Sequence, residues 1–136
     1  MDDHPIKAVV DASAVLAWIF EERGANIVEK YLSVSGISAV NLGEVLYRCR
    51  DRGMSLSELE DTEADLAEYG LRWLSLTRQE SHEIVTVKQA EEVAGITLSM
   101  ADRCCLATAL THQVPVIASD GEWELLDLDI EVISFR

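Results

Sequence analysis

Short apolar stretches alternate with longer amphipathic ones along the chain. The short stretches, which are β-branched or alternate apolar with polar residues, predict strands over 6–10, 36–38, 71–76, 114–118 and 132–135. Segments with helical periodicity predict helices over 14–20, 25–32, 41–52, 57–70, 77–95 and 100–112, with a short helix after Asp120. Because strands separated by helices form parallel βαβ units, we expect an α/β fold around a parallel sheet.

Capping residues set the expected starts of several helices. Ser13 is positioned to cap the first helix, since a serine hydroxyl can accept a hydrogen bond from a free backbone N–H. Capping boxes, in which Ser or Thr is followed three residues later by Glu, are expected at Ser57 with Glu60 and at Thr77 with Glu80.

The composition is that of one globular domain spanning residues 1–136. Hydrophobic residues make up 49% of the chain, which is enough for one core, and no linker or repeat divides it. The first residues lack the basic and apolar regions of a signal peptide, and no apolar run has the length of a membrane span. We therefore expect a cytoplasmic protein with no membrane partner. The odd number of cysteines predicts buried free thiols at Cys49, Cys104 and Cys105.

The charge is strongly negative. With 25 acidic and 11 basic residues, the net charge is −14, which argues against a broad nucleic-acid-binding surface because phosphate binding depends on Lys and Arg. It does not exclude a nuclease whose metal ions supply local positive charge, and it favours a basic protein partner. Most acidic residues, including Glu91 and Glu92, are expected to face solvent.

Four acidic residues stand apart because of their positions. Asp11 directly follows the first strand, and Asp120 follows the strand over 114–118. Function in open α/β sheets collects at these carboxyl ends. Asp102 enters an otherwise apolar helix, and Glu44 lies in the helix over 41–52. Gathered carboxylates require a cationic partner, and Mg²⁺ or Mn²⁺ prefers oxygen ligands, so the pattern favours metal-dependent phosphate chemistry.

Each of these acids also has a purely structural interpretation. Asp11 and Asp102 lie where helix caps form, and Asp120 lies in a turn. Glu44 is spaced to pair with Arg48 at i+4 on the helix surface. Asp11 and Asp102 are the stronger functional candidates, whereas the other two gain weight only as members of a set.

Four stretches resemble, in order and spacing, the motifs of the PIN domain family, and within it the VapC-like ribonuclease toxins of toxin–antitoxin systems. They are VVDASA at 9–14, SAVNLGEV at 38–45, LSMADR at 98–103 and PVIASDGEW at 115–123. Each motif alone is weak, but four in order are fairly specific and span nearly the whole chain. The resemblance implies a three-layer α/β/α fold with a central parallel sheet of four or five strands in the order 3-2-1-4-5.

The resemblance also implies the members of the site. Asp11 and Asp102 would bind Mg²⁺ or Mn²⁺ directly, and Asp120 would bind directly or through water. Glu44 would hold a second metal or orient water. Two polar residues, Ser13 and Asn41, would support these ligands.

The implied protein is a Mg²⁺- or Mn²⁺-dependent endoribonuclease, the toxin of a toxin–antitoxin pair. It would hydrolyse RNA phosphodiester bonds through a carboxylate-bound metal and an activated water. The implied partners are the RNA substrate, a cognate antitoxin with a basic segment, and a second copy in a homodimer. The apolar stretch 15–20 is a candidate groove for an antitoxin helix, with core burial as the alternative. Candidates for guiding the RNA backbone are Arg48, Arg50, Arg52 and Arg103.

Other functions stay open. The family often carries Thr or Ser two residues before the last aspartate, where this chain has Ala118, and this departure favours a catalytically inactive PIN-like protein-binding module. Aspartyl-phosphate enzymes fit poorly, because Asp11 is followed by Ala12 and Ser13 rather than a second aspartate, and no lysine lies near the late strands. A nuclease acting on DNA is a further alternative.

Overall fold

A computed structural model describes residues 5–136, which form a five-stranded parallel sheet with helices on both faces. The strands are β1 Ala8–Val10, β2 Ser35–Ser38, β3 Arg72–Leu74, β4 Val116–Ala118 and β5 Val132–Ser134. They lie in the order β3-β2-β1-β4-β5, and every neighbouring pair is parallel. The predicted three-layer α/β/α fold with a parallel sheet in the order 3-2-1-4-5 is therefore confirmed.

The helices follow the predicted segments, with differences at their ends. They are α1 Ala12–Ile19, α2 Ala25–Leu32, α3 Ala39–Asp51, α4 Leu56–Tyr69, α5 Arg78–Ala94, α6 Met100–His112 and a 3₁₀ helix Gly121–Leu126. The α6 bounds match the prediction, and Thr77 with Glu80 forms the predicted capping box of α5. None of the helices within residues 5–136 is long and apolar enough to cross a membrane.

Two predicted helix caps are wrong. Helix α1 begins after Asp11, because the Asp11 carboxylate, rather than the Ser13 hydroxyl, accepts a hydrogen bond from the first turn. The capping box of α4 joins Ser55 and Glu58, two residues before the predicted pair. The Ser-x-x-Glu pattern occurs in both registers, and the earlier one is used because α4 begins soon after α3 ends.

The sheet divides the buried apolar residues into two clusters, one on each face. Successive side chains of a strand point to opposite faces, so Val10 packs in the cluster under α1 to α4, whereas Val9 packs in the cluster under α5 and α6. Both valines are fully buried, as expected for a central parallel strand. This burial fixes the carboxyl end of β1, and therefore the start of α1.

The apolar stretch 15–20 is used in two ways. Its first half is buried in the core, whereas Trp18, Ile19 and Phe20 are only partly buried and pack against the core from the outside. The three cysteines are free and buried, as predicted.

Candidate functional site

The four predicted carboxylates border one pocket at the carboxyl ends of β1 and β4. The pocket has a volume of about 190 Å³. Asp11 follows β1 and Asp120 follows β4, while Glu44 reaches the pocket from α3 and Asp102 from the first turn of α6. The remaining lining residues are Ala12, Ser13, Arg48, Ser119 and Trp123. Four segments distant in sequence thus contribute one carboxylate each to the pocket, and Arg48 is the one cationic residue within 5–136 that lines it.

Asp11 is the most buried of the four, with 8% of its surface exposed. Its Oδ1 accepts a hydrogen bond from the Ala14 N–H at 2.8 Å, and the Ser13 hydroxyl lies 2.8 Å from both carboxylate oxygens. Burial raises the pKa of Asp11 to about 6, although the bonds from Ala14 and Ser13 oppose this shift, and the charges of Asp102 and Glu44 add to it. A cation in the pocket would stabilise the ionised form.

Ser13 links the two strand ends that carry Asp11 and Asp120. Its hydroxyl lies 3.1 Å from that of Ser119, which follows β4. Ser119 lines the pocket, whereas Ala118 is fully buried in the cluster under α5 and α6. The side chain at 118 therefore contributes to the core, and the hydroxyl group in this corner of the pocket belongs to Ser119.

Asn41 connects the first turns of α3 and α6. It is 1% exposed, its Oδ1 accepts a hydrogen bond from the Ser38 hydroxyl at 2.5 Å, and its Nδ2 donates to the Ala101 carbonyl at 3.0 Å. The bond to Ala101 reaches the residue before Asp102. Asn41 thus restrains the backbone that carries this carboxylate.

The other three carboxylates differ in their local partners. Glu44 accepts a hydrogen bond from Arg48 Nη2 at 3.0 Å, and Asp120 accepts one from the Glu122 N–H at 2.8 Å. The Asp102 N–H is bonded to the Ser99 hydroxyl at 3.1 Å, as in a helix cap. The same residues therefore stabilise local structure and line the pocket, which explains why the sequence allowed both a structural and a functional interpretation of them.

The donor set suits a hard divalent cation, because carboxylate and hydroxyl oxygens are the ligands that Mg²⁺ and Mn²⁺ prefer. The excess negative charge and the raised pKa of Asp11 agree with this chemistry. However, within residues 5–136, no three acidic, His or Cys side chains converge into a ready-made metal cluster. Three of the four acids are instead held by local partners, Glu44 by Arg48, and Asp11 and Asp120 by helix N-termini.

One prediction about a charged residue near the site is wrong. Glu91, expected to face solvent, is 2% exposed, because it pairs with Arg103 through bonds of 2.7 and 3.0 Å. The guanidinium of Arg103, a candidate for guiding the RNA backbone, is thus bound to Glu91. Arg50 donates to the Met54 carbonyl and Arg52 contacts Glu22. Of the four candidate arginines, Arg48 is the one that lines the pocket, and guiding of RNA by any of them stays a prediction.

The sequence reasoning also missed Trp123, which lines the pocket although it is 2% exposed. Its side chain packs in the cluster under α5 and α6. The signal was present, since a residue three positions after Asp120 lies about one turn along the short helix and therefore on the same side as Asp120.

Several solved structures share this fold. A chain from the crystal structure of VapBC2 from Rickettsia felis, bound to a DNA fragment from their promoter, aligns with a TM-score of 0.75 and 12% identity over 96% of this chain and 100% of that one. A chain of a toxin–antitoxin complex from Klebsiella pneumoniae aligns with a TM-score of 0.75 and 17% identity over 96% and 98%. VapC20 from Mycobacterium tuberculosis, described as a sarcin–ricin loop cleaving toxin, aligns with a TM-score of 0.60 and 16% identity over 87% and 93%.

The sequence comparison identifies the family. A comparison with curated proteins found no match. Residues 8–128, however, match the family described as PIN domain. This range includes the four carboxylates and strands β1 to β4. The chain therefore belongs to the PIN domain family.

Proposed function

We propose that this protein is a metal-dependent endoribonuclease and the toxin of a toxin–antitoxin pair. The observation that carries the proposal is the gathering of Asp11, Glu44, Asp102 and Asp120 around one pocket of a PIN domain. The description of VapC20 as a toxin that cleaves the sarcin–ricin loop supports RNA as the substrate class.

Asp11 and Asp102 are the residues that we propose as direct ligands of Mg²⁺ or Mn²⁺. Asp120 would bind directly or through water, and Glu44 would hold a second ion or orient water. When bound, a divalent ion would lower the pKa of water and stabilise the charge that develops on the scissile phosphate.

The surrounding residues prepare the pocket for this chemistry. The Ala14 N–H and the Ser13 hydroxyl fix the orientation of the Asp11 carboxylate, so that little ordering is required on binding. Arg48 is the arginine best placed to bind an RNA phosphate, since it lines the pocket and its side chain is 52% exposed.

RNA cleavage tests the proposal directly. With Mg²⁺ present, the Asp11→Asn and Asp102→Asn variants should cleave single-stranded RNA at least about 100-fold more slowly than the unaltered protein, because each loses an anionic ligand. Asp61→Asn, at an exposed position on α4, is the control and should retain full activity. Undiminished cleavage by both site variants would overturn the assignment, and a parallel digestion of single-stranded DNA distinguishes the substrate.

Calorimetry separates the nuclease from an inactive PIN-like binding module. The nuclease should bind Mn²⁺, and Asp102→Asn should weaken that binding. A protein-binding module without a metal site would show no heat of Mn²⁺ binding.

We also propose that a cognate antitoxin docks on a groove beside α1. The groove has a volume of about 550 Å³, an apolar floor that includes Trp18, Ile19 and Met54, and acidic residues at Glu21, Glu29 and Asp65. An amphipathic helix with basic residues matches this combination of surface chemistry. The neighbour from Klebsiella pneumoniae, a chain of a toxin–antitoxin complex, supports an antitoxin as the partner.

A homodimer is the remaining proposal about partners. Three large apolar side chains are exposed in this part of the molecule. They are Val40 in the first turn of α3 (40% exposed), Tyr47 in the middle of α3 (54%) and Met100 in the first turn of α6 (57%). Val40 and Tyr47 border a concave surface of about 430 Å³ beside the acidic pocket. Large exposed apolar side chains in one region favour association, and a second copy would cover them.

A further inference from the structure

The first turn of α6 is held from both sides by buried polar groups. On one side, Asn41 donates to the Ala101 carbonyl at 3.0 Å. On the other side, the Glu91 carboxylate of α5 accepts hydrogen bonds from the Leu98 N–H at 2.8 Å and from Arg103. The contacted residues Leu98, Ala101 and Arg103 flank Asp102, so these contacts fix the turn without engaging the Asp102 carboxylate itself.

The Glu91–Arg103 interaction has the geometry of a strong ion pair. Arg103 donates through Nε to one carboxylate oxygen at 2.7 Å and through Nη2 to the other at 3.0 Å. This two-point contact fixes the orientation of the guanidinium plane relative to the carboxylate plane. The side chain of Glu91 is 2% exposed and that of Arg103 is 15% exposed. The hydrogen bond from Arg103 lowers the pKa of Glu91, so Glu91 stays ionised at neutral pH.

Arg103 depends on Glu91 as its counter-ion, and it lies next to Asp102 in the chain. Without the Glu91 carboxylate, a largely buried guanidinium would lack its counter-ion. The carboxylate of Asp102 would then be an available partner for it, and such a pair would compete with a cation for this ligand. The same loss would leave the buried Leu98 N–H, directly before the Ser99 cap, without an acceptor.

We propose that Glu91 is a positioning residue for Asp102, fixing the first turn of α6 and keeping Arg103 away from the acidic pocket. This inference rests on the proposed metal-dependent function of that pocket. Glu91 does not line the pocket and would act only through Arg103 and Leu98.

Glu91→Gln tests the role, with Glu80→Gln as a matched control. Glu80 lies on the same helix, is 1% exposed and also accepts local hydrogen bonds, but it lies eleven residues earlier in the Thr77 capping box. That separation corresponds to about 16 Å along the helix. Both variants remove a buried negative charge from α5, so they control for a general loss of stability.

Three measurements distinguish positioning from support of the fold. Glu91→Gln should weaken Mn²⁺ binding in calorimetry about 10-fold and lower kcat for RNA more than it raises KM, as expected for a residue that orients a ligand. In the metal-free protein, it should speed amide exchange at residues 98–103. Glu80→Gln should lower the melting temperature without changing Mn²⁺ affinity or exchange in this turn. Arg103→Lys keeps the positive charge but loses the two-point contact, and it should also weaken Mn²⁺ binding. This variant provides the test if Glu91→Gln does not fold.

The outcomes separate this inference from the proposed function. If the unaltered protein binds Mn²⁺ and the Glu91 and Arg103 variants bind it equally well, the positioning role is overturned and the proposed function stands. If the unaltered protein neither binds Mn²⁺ nor cleaves RNA, the proposed function fails and the positioning role fails with it.

Discussion

Burial of Asp11 in the pocket lowers the free energy of unfolding when its carboxylate is ionised. Its pKa of about 6 in the metal-free protein lies above the ordinary value of 3.8, so the native state holds a proton that the unfolded chain has already lost between these pH values. The contribution of this group to stability is therefore largest below pH 3.8 and declines as the pH rises through about 6. Above that pH, the ionised carboxylate costs about 3 kcal/mol.

Replacing Asp11 by Asn should stabilise the metal-free protein. The amide oxygen of Asn can still accept the bonds from Ala14 and Ser13, but it has no charge to bury. At pH 7.5 we expect a higher melting temperature without metal and loss of the increase that Mn²⁺ gives to the unaltered protein. Scanning calorimetry with and without Mn²⁺ measures both effects. A lower melting temperature with an unchanged response to Mn²⁺ would contradict this account.

Metal binding should depend on pH for the same reason. Below about pH 6, a proton occupies Asp11 and must leave before a cation binds. We expect Mn²⁺ affinity to fall as the pH is lowered from 7.5 to 5, by up to about tenfold per unit below pH 6. Titration calorimetry at several pH values tests this, with Asp61→Asn as a control that should show the same pH dependence as the unaltered protein. An affinity that does not change over this range would argue against Asp11 as a ligand.

The positions of single residues were predictable where they follow from the alternation of strands and helices. Asp11 directly follows β1, and Asp120 lies two residues beyond the end of the neighbouring parallel strand β4, so their convergence follows from the fold. The burial of Glu91 was not predictable, because its partner Arg103 is on another helix and their contact depends on how α5 packs against α6. No sequence spacing encodes that packing.

At the scale of elements, helix α1 serves both the core and the surface. Its first half is buried under the sheet, and its end contributes Trp18 to the groove, where the ring lies 5.1 Å from that of Tyr69. The sequence showed an excess of apolar residues in 15–20, but only the packing of α2 and α4 around them creates a groove. The register of the α4 capping box was ambiguous for a local reason, since Ser55 and Ser57 both precede a glutamate by three residues.

Trp18→Ala should weaken antitoxin binding. Removing the indole would delete a large part of the apolar floor, and we expect an affinity loss of at least about tenfold, as for other central aromatic contacts. Val93→Ala on α5, where the side chain is 91% exposed, should leave binding unchanged. Binding of the purified cognate antitoxin is measured by calorimetry, with circular dichroism to verify folding. Unchanged affinity in a folded Trp18→Ala variant would place the antitoxin elsewhere.

At the scale of the whole molecule, the topology gathers the acidic residues on one side of the sheet. The order β3-β2-β1-β4-β5 places β1 at the centre and β4 beside it, so the turns after both strands meet. Alternation of strands and helices predicts a parallel sheet, but it does not give the strand order. That order came from the resemblance to PIN domains.

Tyr47→Asp should shift a homodimer toward monomers. The substitution places a charge beside Val40 on the concave surface that a second copy would cover, and burying that charge in an interface is unfavourable. Val85→Asp, at a 57% exposed position on α5, is the control. Sedimentation velocity measures the mass of each variant. A monomeric unaltered protein, or a dimer that Tyr47→Asp does not weaken, would contradict the proposed interface.

The central claim is that the acidic pocket binds a divalent metal between Asp11 and Asp102. The most direct measurement is an anomalous diffraction map from a crystal grown or soaked with Mn²⁺. The account predicts a strong peak within coordination distance of both carboxylates, about 2.2 Å for such oxygen ligands. The absence of a peak in this pocket at saturating Mn²⁺, or a peak bound only elsewhere on the molecule, would contradict it.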